Sequence, residues 1–223
     1  MENIELATRE RAVKAASFYT APLLFFYDYY VFKFASRLVF HCPERKVIDF
    51  YLERITSNHL EVGVGTGYLL NKCAEQGKIA SLSLLDFNKN CLDVTEKALA
   101  TYMPDKHHAN ILEPLPIHNR KYDSVGINFV LHCVPGSFRE KGVALDHIAE
   151  HLNKGSTLFG STIIYYPGQS KLSKFVMNIY NRKGIFNNTR DTREELAEAL
   201  ARNYSNIEIS QTGNVLFFTA TKA

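Results

Sequence analysis

From residue 57 onward, short apolar runs alternate with stretches in which apolar residues recur every three or four positions. Runs of the first kind read as buried strands and those of the second as amphipathic helices. The first strand ends at Val62, and a helix begins near Tyr68 with Leu69, Leu70 and Cys73 on its apolar side and a stop at Gly77. Strand two covers 79–85 and closes on Asp86. Asn88 then caps a helix whose inner face is Leu92, Thr95, Ala98 and Leu99. A third strand reaches Asn110, and a fourth covers 122–129. Ser137-Phe138-Arg139-Glu140 fits a capping box that opens a helix with Leu145, Ile148, Ala149 and Leu152 on one face. Gly155 is expected to end that helix, and 157–165 to form strand five. A helical stretch follows around 173–180, and Thr192-Arg193-Glu194-Glu195 is a second capping box. Ile207 and Ile209 mark a sixth strand and 215–221 a seventh, joined by a turn at Gly213-Asn214. The alternation predicts a parallel α/β sheet with crossover helices. A turn that short cannot make a parallel crossover, so the last two strands must be antiparallel to each other.

The first 56 residues differ in character and read as an N-terminal helical cap or lid within the same domain as 57–223. Ten aromatic residues fall in 18–40. The run at 23–34 is nearly as apolar as a membrane span, but Asp28, Lys33 and Arg37 interrupt it, and a spanning helix needs about 20 residues with few charges. Pro22 suits the first turn of a helix. Three readings stay open for it: a helix buried in the core, a lid over an apolar ligand, or a membrane-surface helix. A further helix is expected over 44–55, with Val47, Ile48, Tyr51, Leu52 and Ile55 at helical spacing.

Composition narrows the function. A chain of 223 residues is long enough for one large domain with a sizeable core. A formal charge of +3 with no basic tract gives no reason to expect a nucleic-acid partner. Cys42, Cys73, Cys91 and Cys133 are scattered without a Cys-x-x-Cys pair, which argues against disulfides or a zinc site and for a cytoplasmic protein. The acidic start, Met1-Glu2-Asn3-Ile4-Glu5, does not resemble a signal peptide.

The chemistry concentrates at His59-Leu60-Glu61-Val62-Gly63-Val64-Gly65-Thr66-Gly67. A buried strand ends beside a carboxylate, and three alternating glycines let the backbone turn sharply and come close to a ligand. The helix that follows turns its free N–H groups back toward the loop, a place for a carboxylate or phosphate. Asp86, 19 positions after Gly67, sits where an acidic residue ends strand two and holds ribose hydroxyls. A dinucleotide enzyme would show Gly-x-Gly-x-x-Gly and room for a second nucleotide. This chain has Gly-x-Gly-x-Gly and a terminal antiparallel hairpin instead.

From about residue 60 to the C-terminus the sequence resembles the class I S-adenosylmethionine-dependent methyltransferases of the small-molecule type. Residues 60–67 match the family's first motif, Ser83-Leu84-Leu85-Asp86-Phe87-Asn88 its second, and Tyr122-Asp123-Ser124-Val125 with Leu131 and His132 its fourth-strand motif. The resemblance implies a seven-stranded Rossmann-like sheet with its last strand antiparallel, helices on both faces, and S-adenosylmethionine as cofactor. It implies that Gly63, Gly65 and Gly67 shape the methionine pocket and that Glu61 orients the ammonium group. Asp86 would bind the ribose, Phe87 would pack on the adenine, and Asn110, Ile111 and Asn128 would complete the cofactor site. Asn110 stands where the family often has Asp; an amide oxygen can accept the same hydrogen bond.

A sulfonium is a strong methyl donor, so aligning the reactants supplies much of the acceleration. A hydroxyl acceptor also needs to lose a proton. His132, just past strand four, is the candidate base; the alternative is a histidine that braces the loop at Val134-Pro135-Gly136. His41 is a second candidate, while His107 and His108 are expected before strand three and on the surface. Tyr19, Tyr27, Tyr30 and His132 are the candidate acceptor contacts. The sequence thus predicts a cytoplasmic methyltransferase for a small apolar or aromatic acceptor, methylating oxygen or nitrogen, as a monomer or a homodimer. Its rivals are a non-methylating cofactor binder and a peripheral membrane enzyme.

Overall fold

The computed structural model describes residues 37–223. The helix expected from Pro22 and the acceptor candidates Tyr19, Tyr27 and Tyr30 lie outside them. Seven strands form one sheet: β1 (Asn58–Val62), β2 (Ser81–Asp86), β3 (Asp105–His108), β4 (Tyr122–Asn128), β5 (Leu152–Ile163), β6 (Tyr204–Thr212) and β7 (Val215–Lys222). Their order is β3-β2-β1-β4-β5-β7-β6. β7 runs antiparallel to both β5 and β6, as the short turn at Gly213-Asn214 requires. The helices are α1 (Glu44–Leu52), α2 (Tyr68–Ala74), α3 (Lys89–Ala98), α4 (Phe138–Lys141), α5 (Val143–Ala149), α6 (Lys171–Arg182) and α7 (Arg193–Ala201).

The pleat sends alternate strand residues into two cores. On one face Leu60, Val62, Val125, Ile127 and Leu158 pack with Phe138, Leu145, Ile148, Leu196 and Leu200 of α4, α5 and α7. On the other, Leu82, Leu84, Phe159 and Phe217 pack with Val47, Tyr51, Leu70, Leu92 and Met177 of α1, α2, α3 and α6. Asn88 caps α3 by accepting the Asn90 N–H, and Thr192 caps α7 through Glu195. The residues before α1 are tied to the far end of the sheet. Phe40 is buried and its carbonyl accepts the Asn214 N–H at 2.8 Å, while the Ser173 hydroxyl donates to the Val39 carbonyl.

Four expectations change. The capping box at Ser137 forms, but it opens only the short α4; Gly142 separates it from α5, which ends at Ala149. Leu152 therefore begins β5 instead of ending a helix. Gly155 lies inside that strand with φ +82°, where the pairing with β4 jumps from Tyr122–Leu152 to Ser124–Thr157. A glycine in a left-handed conformation is what such an irregularity needs. β3 ends at His108, so His107 and His108 lie within it; Asn110 lies beyond, and His108 is exposed as expected. Ala98, the last residue of α3, faces solvent, and Cys91 takes its place on the buried side. Among the described residues, no helix is long and apolar enough to cross a membrane.

Candidate functional site

The sheet order puts β1 between β2 and β4, where a chain that has built outward to β3 returns and builds toward β5. Open α/β sheets gather ligands outside the carboxyl ends of their strands at such a reversal. The loop after Val62, the end of β2 at Asp86, and the end of β4 at Asn128 all meet there.

Gly63, Gly65 and Gly67 have φ of +75°, +55° and +77°, so each needs glycine's freedom, but their surroundings differ. A Cβ on Gly63 would overlap the Val130 side chain, and one on Gly67 would come within 2.8 Å of Thr95 Cγ2. On Gly65 it would meet nothing within 4 Å among the described residues. Gly63 and Gly67 let the loop pack on the protein, whereas Gly65 presents bare backbone to open space. The Thr95 hydroxyl donates to the Gly65 carbonyl at 3.2 Å and steadies the loop from behind.

Asp86 ties β2 to this loop. Its carboxylate accepts the Asn88 N–H at 2.7 Å and the N–H groups of Val64 and Gly65. Burial outweighs these bonds and pushes the carboxyl up to about 6. Phe87 stacks on His108 with ring centroids 6.2 Å apart, and the His108 Nε2–H donates to the Phe87 carbonyl at 2.9 Å. Asn110 turns its amide oxygen to the Leu112 N–H at 3.1 Å and donates to Glu113 at 3.2 Å. Ile111 is buried, with its carbonyl 3.1 Å from His147 Nδ1. Asn128 accepts the Ser161 hydroxyl at 3.0 Å, while its Nδ2 is buried without a partner among the described residues. A buried donor left unpaired is costly.

Glu61 is buried, with only 4% of its surface exposed. Its Oε2 accepts the Tyr51 hydroxyl at 2.7 Å and lies 2.9 Å from His59 Nε2. His59 Nδ1 is 2.8 Å from the Ser124 hydroxyl, which also accepts the Thr56 N–H at 3.0 Å. Gly126, opposite Glu61 in the β1–β4 register, has its side-chain space taken: a Cβ there would lie 2.5 Å from Glu61 Oε2 and 3.2 Å from the His59 ring.

His132 is 2% exposed. Its Nδ1 accepts the Ile163 N–H at 3.5 Å, which assigns the ring proton to Nε2, and its carbonyl accepts the Asn187 N–H at 2.7 Å. The ring meets Phe186 edge-on at 4.5 Å and Phe129 at 6.3 Å. Burial, with the Lys141 charge adding to it, pulls the imidazole down to about 3. Phe40 and Tyr180 also pack on Phe186, at 6.2 and 5.0 Å. Behind this aromatic wall Lys141 and Asp191 form a buried ion pair at 2.6 Å, both side chains 0% exposed. Lys141 also donates to the Val134 carbonyl at 3.4 Å and the Asn187 carbonyl at 3.2 Å, so the pair locks the loop after β4 to the segment between α6 and α7.

Several of these residues escape sequence reasoning. His59 shares a strand face with Glu61 by simple alternation, and Gly126 in an apolar strand signals close approach, so both were open to recognition. Lys141 and Asp191 are 50 positions apart with no pattern to link them. Phe129 follows β4 at φ +55°, a strained conformation for a bulky residue and one no spacing rule anticipates.

Comparison with known proteins fits this geometry. Residues 60–158 match the methyltransferase domain family. The chain is 36% identical to demethylluteothin O-methyltransferase of Streptomyces thioluteus over 92% of this chain and 90% of that one. It belongs to the S-adenosylmethionine-dependent methyltransferases. This methyltransferase is also 32% identical to methyltransferase aurB of Calcarisporium arbuscula, over 93% of its own length and 96% of that protein. Its fold matches the N-methyltransferase NodS from Bradyrhizobium japonicum, solved with S-adenosyl-L-homocysteine, with a TM-score of 0.60 and 16% identity over 80% of this chain and 87% of that one. The PigF structure with the same ligand matches with a TM-score of 0.65 and 14% identity, over 89% of the methyltransferase and 58% of PigF. The open space at Gly65, the Glu61 carboxylate and the unpaired Asn128 amide suit an amino-acid-bearing adenosyl cofactor.

Proposed function

We propose that this methyltransferase, with S-adenosylmethionine, methylates a hydroxyl oxygen of a small aromatic acceptor. The carrying observation is the aromatic wall of Phe40, Phe129, His132, Tyr180 and Phe186 at the carboxyl ends of the strands. The relatives support oxygen as the target: one is a demethylluteothin O-methyltransferase and another, 29% identical over 98% of this chain, a physcion biosynthesis cluster O-methyltransferase of Aspergillus chevalieri.

When bound, the cofactor supplies a methyl group activated by a positively charged sulfur. Glu61 takes the ammonium end, the bare backbone at Gly65 admits the amino-acid chain, and Asp86 takes the ribose hydroxyls. Phe87 packs on the adenine, with Asn110 and Ile111 at its edge. Gly63 and Gly67 hold the loop against Val130 and Thr95. The Asn128 Nδ2 donates to the ligand. His132 serves as a wall and a brace and not as the base. Protonating an imidazole whose pKa is about 3 from a phenol of pKa about 10 would cost on the order of 10 kcal/mol. The acceptor hydroxyl therefore gives its proton to solvent, and the protein contributes alignment of the oxygen with the methyl group. The reading takes no nucleic-acid partner, given a charge of +3 without a basic tract, and places the protein in the cytoplasm, where its four thiols stay reduced.

The test is a panel of phenols, each matched to an amine and a thiol of the same shape, incubated with protein and S-adenosylmethionine. Mass spectrometry should find O-methyl ethers in step with S-adenosylhomocysteine. Turnover confined to amines would overturn the choice of oxygen.

A further inference from the structure

We propose that Tyr51, His59 and Ser124 form a positioning relay that aims the Glu61 carboxylate at the cofactor's ammonium group. The proposal rests on the assignment of Glu61 to that group and adds the residues that make it work.

The hydrogen-bond directions follow from the atoms. The Thr56 N–H can only donate, and it donates to Ser124 Oγ. Ser124 Oγ also accepts the Thr56 hydroxyl at 2.9 Å and lies 2.8 Å from His59 Nδ1, while His59 Nε2, facing the carboxylate, donates to Glu61 Oε2. The Tyr51 O–H donates to the same oxygen. Burial and then the Glu61 charge hold the Tyr51 phenol well above its ordinary range, so it keeps its proton and remains a donor. Two donors thus converge on one carboxylate oxygen, and the direction of the carboxylate is fixed.

The surroundings are cut to fit. Phe159 stacks on the His59 ring at 5.9 Å and meets the Tyr51 ring edge-on at 5.4 Å, so neither donor can swing away. Gly126 gives up its side chain to the Glu61–His59 pair. Elements far apart in sequence (α1, β1 and β4) each contribute to one carboxylate. Among the described residues, His59 is the only side chain of a basic type at ion-pair distance from Glu61, and no Lys or Arg neutralises it. A buried carboxylate is costly unless its hydrogen bonds and a counter-charge compensate it. The ammonium of an amino-acid-bearing ligand supplies one at the site where the chain leaves β1 for the glycine loop.

The relay predicts a defect that depends on the ligand. Calorimetry compares S-adenosylhomocysteine with 5′-methylthioadenosine, which keeps the adenosine and lacks the amino-acid end. Tyr51→Phe should weaken S-adenosylhomocysteine about tenfold, as expected for one hydrogen bond to a charged group, and leave methylthioadenosine within about twofold. In a Glu61→Gln background, Tyr51→Phe should cause no further loss. His59→Leu should repeat the defect, and His59→Gln, which keeps an N–H donor, should restore most of the affinity. These His59 variants carry the test if Tyr51→Phe fails to fold. Equal losses for the two ligands would reduce Tyr51 and His59 to packing residues and overturn the proposal, as would an unchanged affinity for S-adenosylhomocysteine in both folded variants. A wild-type protein that binds neither ligand would instead overturn the cofactor assignment itself.

Discussion

Gly63 and Gly65 are two residues apart, and the structure forecasts opposite outcomes when each becomes alanine. Both sit at positive φ, so an alanine at either costs about 1–2 kcal/mol of backbone strain. At Gly63 the new methyl also overlaps Val130, which adds the overpacking cost of a filled site, about 1–3 kcal/mol. At Gly65 it meets no atom of the described residues within 4 Å, so the strain is the whole cost. Thermal melts of the ligand-free proteins should therefore show a small drop for Gly65→Ala, about 2–8 °C at roughly 2–4 °C per kcal/mol for a chain of this size. Gly63→Ala should fall further. Ligand reverses the ranking of effects. Wild type with S-adenosylhomocysteine at a hundred times its Kd should gain about 2.7 kcal/mol. Gly65→Ala should lose most of that gain because its methyl stands in the ligand's space. The reasoning fails if Gly65→Ala keeps the full ligand-induced shift, or if it destabilises the ligand-free protein as much as Gly63→Ala does.

Two further outcomes follow from buried charges. Asp191→Ala strands the Lys141 ammonium and should cost about 3–5 kcal/mol in urea unfolding, whereas replacing both partners by Met and Leu should be nearly neutral; equal costs would mean the pair is not the lock between its two segments. His132, lowered to about 3 when folded, stays neutral where the unfolded chain takes up a proton, so its contribution is complete above pH 6.5 and declines toward pH 3. Asp86 and Asp191, both raised to about 6, act in the opposite sense between 3.8 and 6, so the His132 effect must be read as a difference. Between pH 7 and 5, wild type should lose about 2 kcal/mol relative to His132→Gln, and parallel pH profiles would contradict the burial argument.

What could be read from the sequence was local. The strand ending at Val62, the helix starting at Tyr68, the acidic end of β2 and the caps at Asn88 and Thr192 each rest on a few neighbouring residues, and each forms as expected. The misplaced boundary between α5 and β5 shows the limit. Leu152 continues the helical spacing of Leu145, Ile148 and Ala149, but pairing with Tyr122, thirty residues earlier, makes it a strand. The site divides in the same way. The glycines and Asp86 announce themselves by spacing, but only the fold shows that, of the three loop glycines, Gly65 alone has no described residue in its side-chain space. His132 looked like a base because of its place after β4. Its burial against Phe186, from a loop more than fifty residues on, has no signal in the local sequence.

The central claim is that the glycine loop and Asp86 hold an adenosyl cofactor, and calorimetry with three ligands tests it most directly. Wild-type protein should bind S-adenosylmethionine and S-adenosylhomocysteine and not NAD. Asp86→Ala should weaken the two adenosyl compounds by about 1–3 kcal/mol, the value of the charge-assisted hydrogen bonds lost to the ribose. Tight binding of NAD with no binding of either adenosyl compound, or an affinity unchanged by Asp86→Ala, would contradict the account.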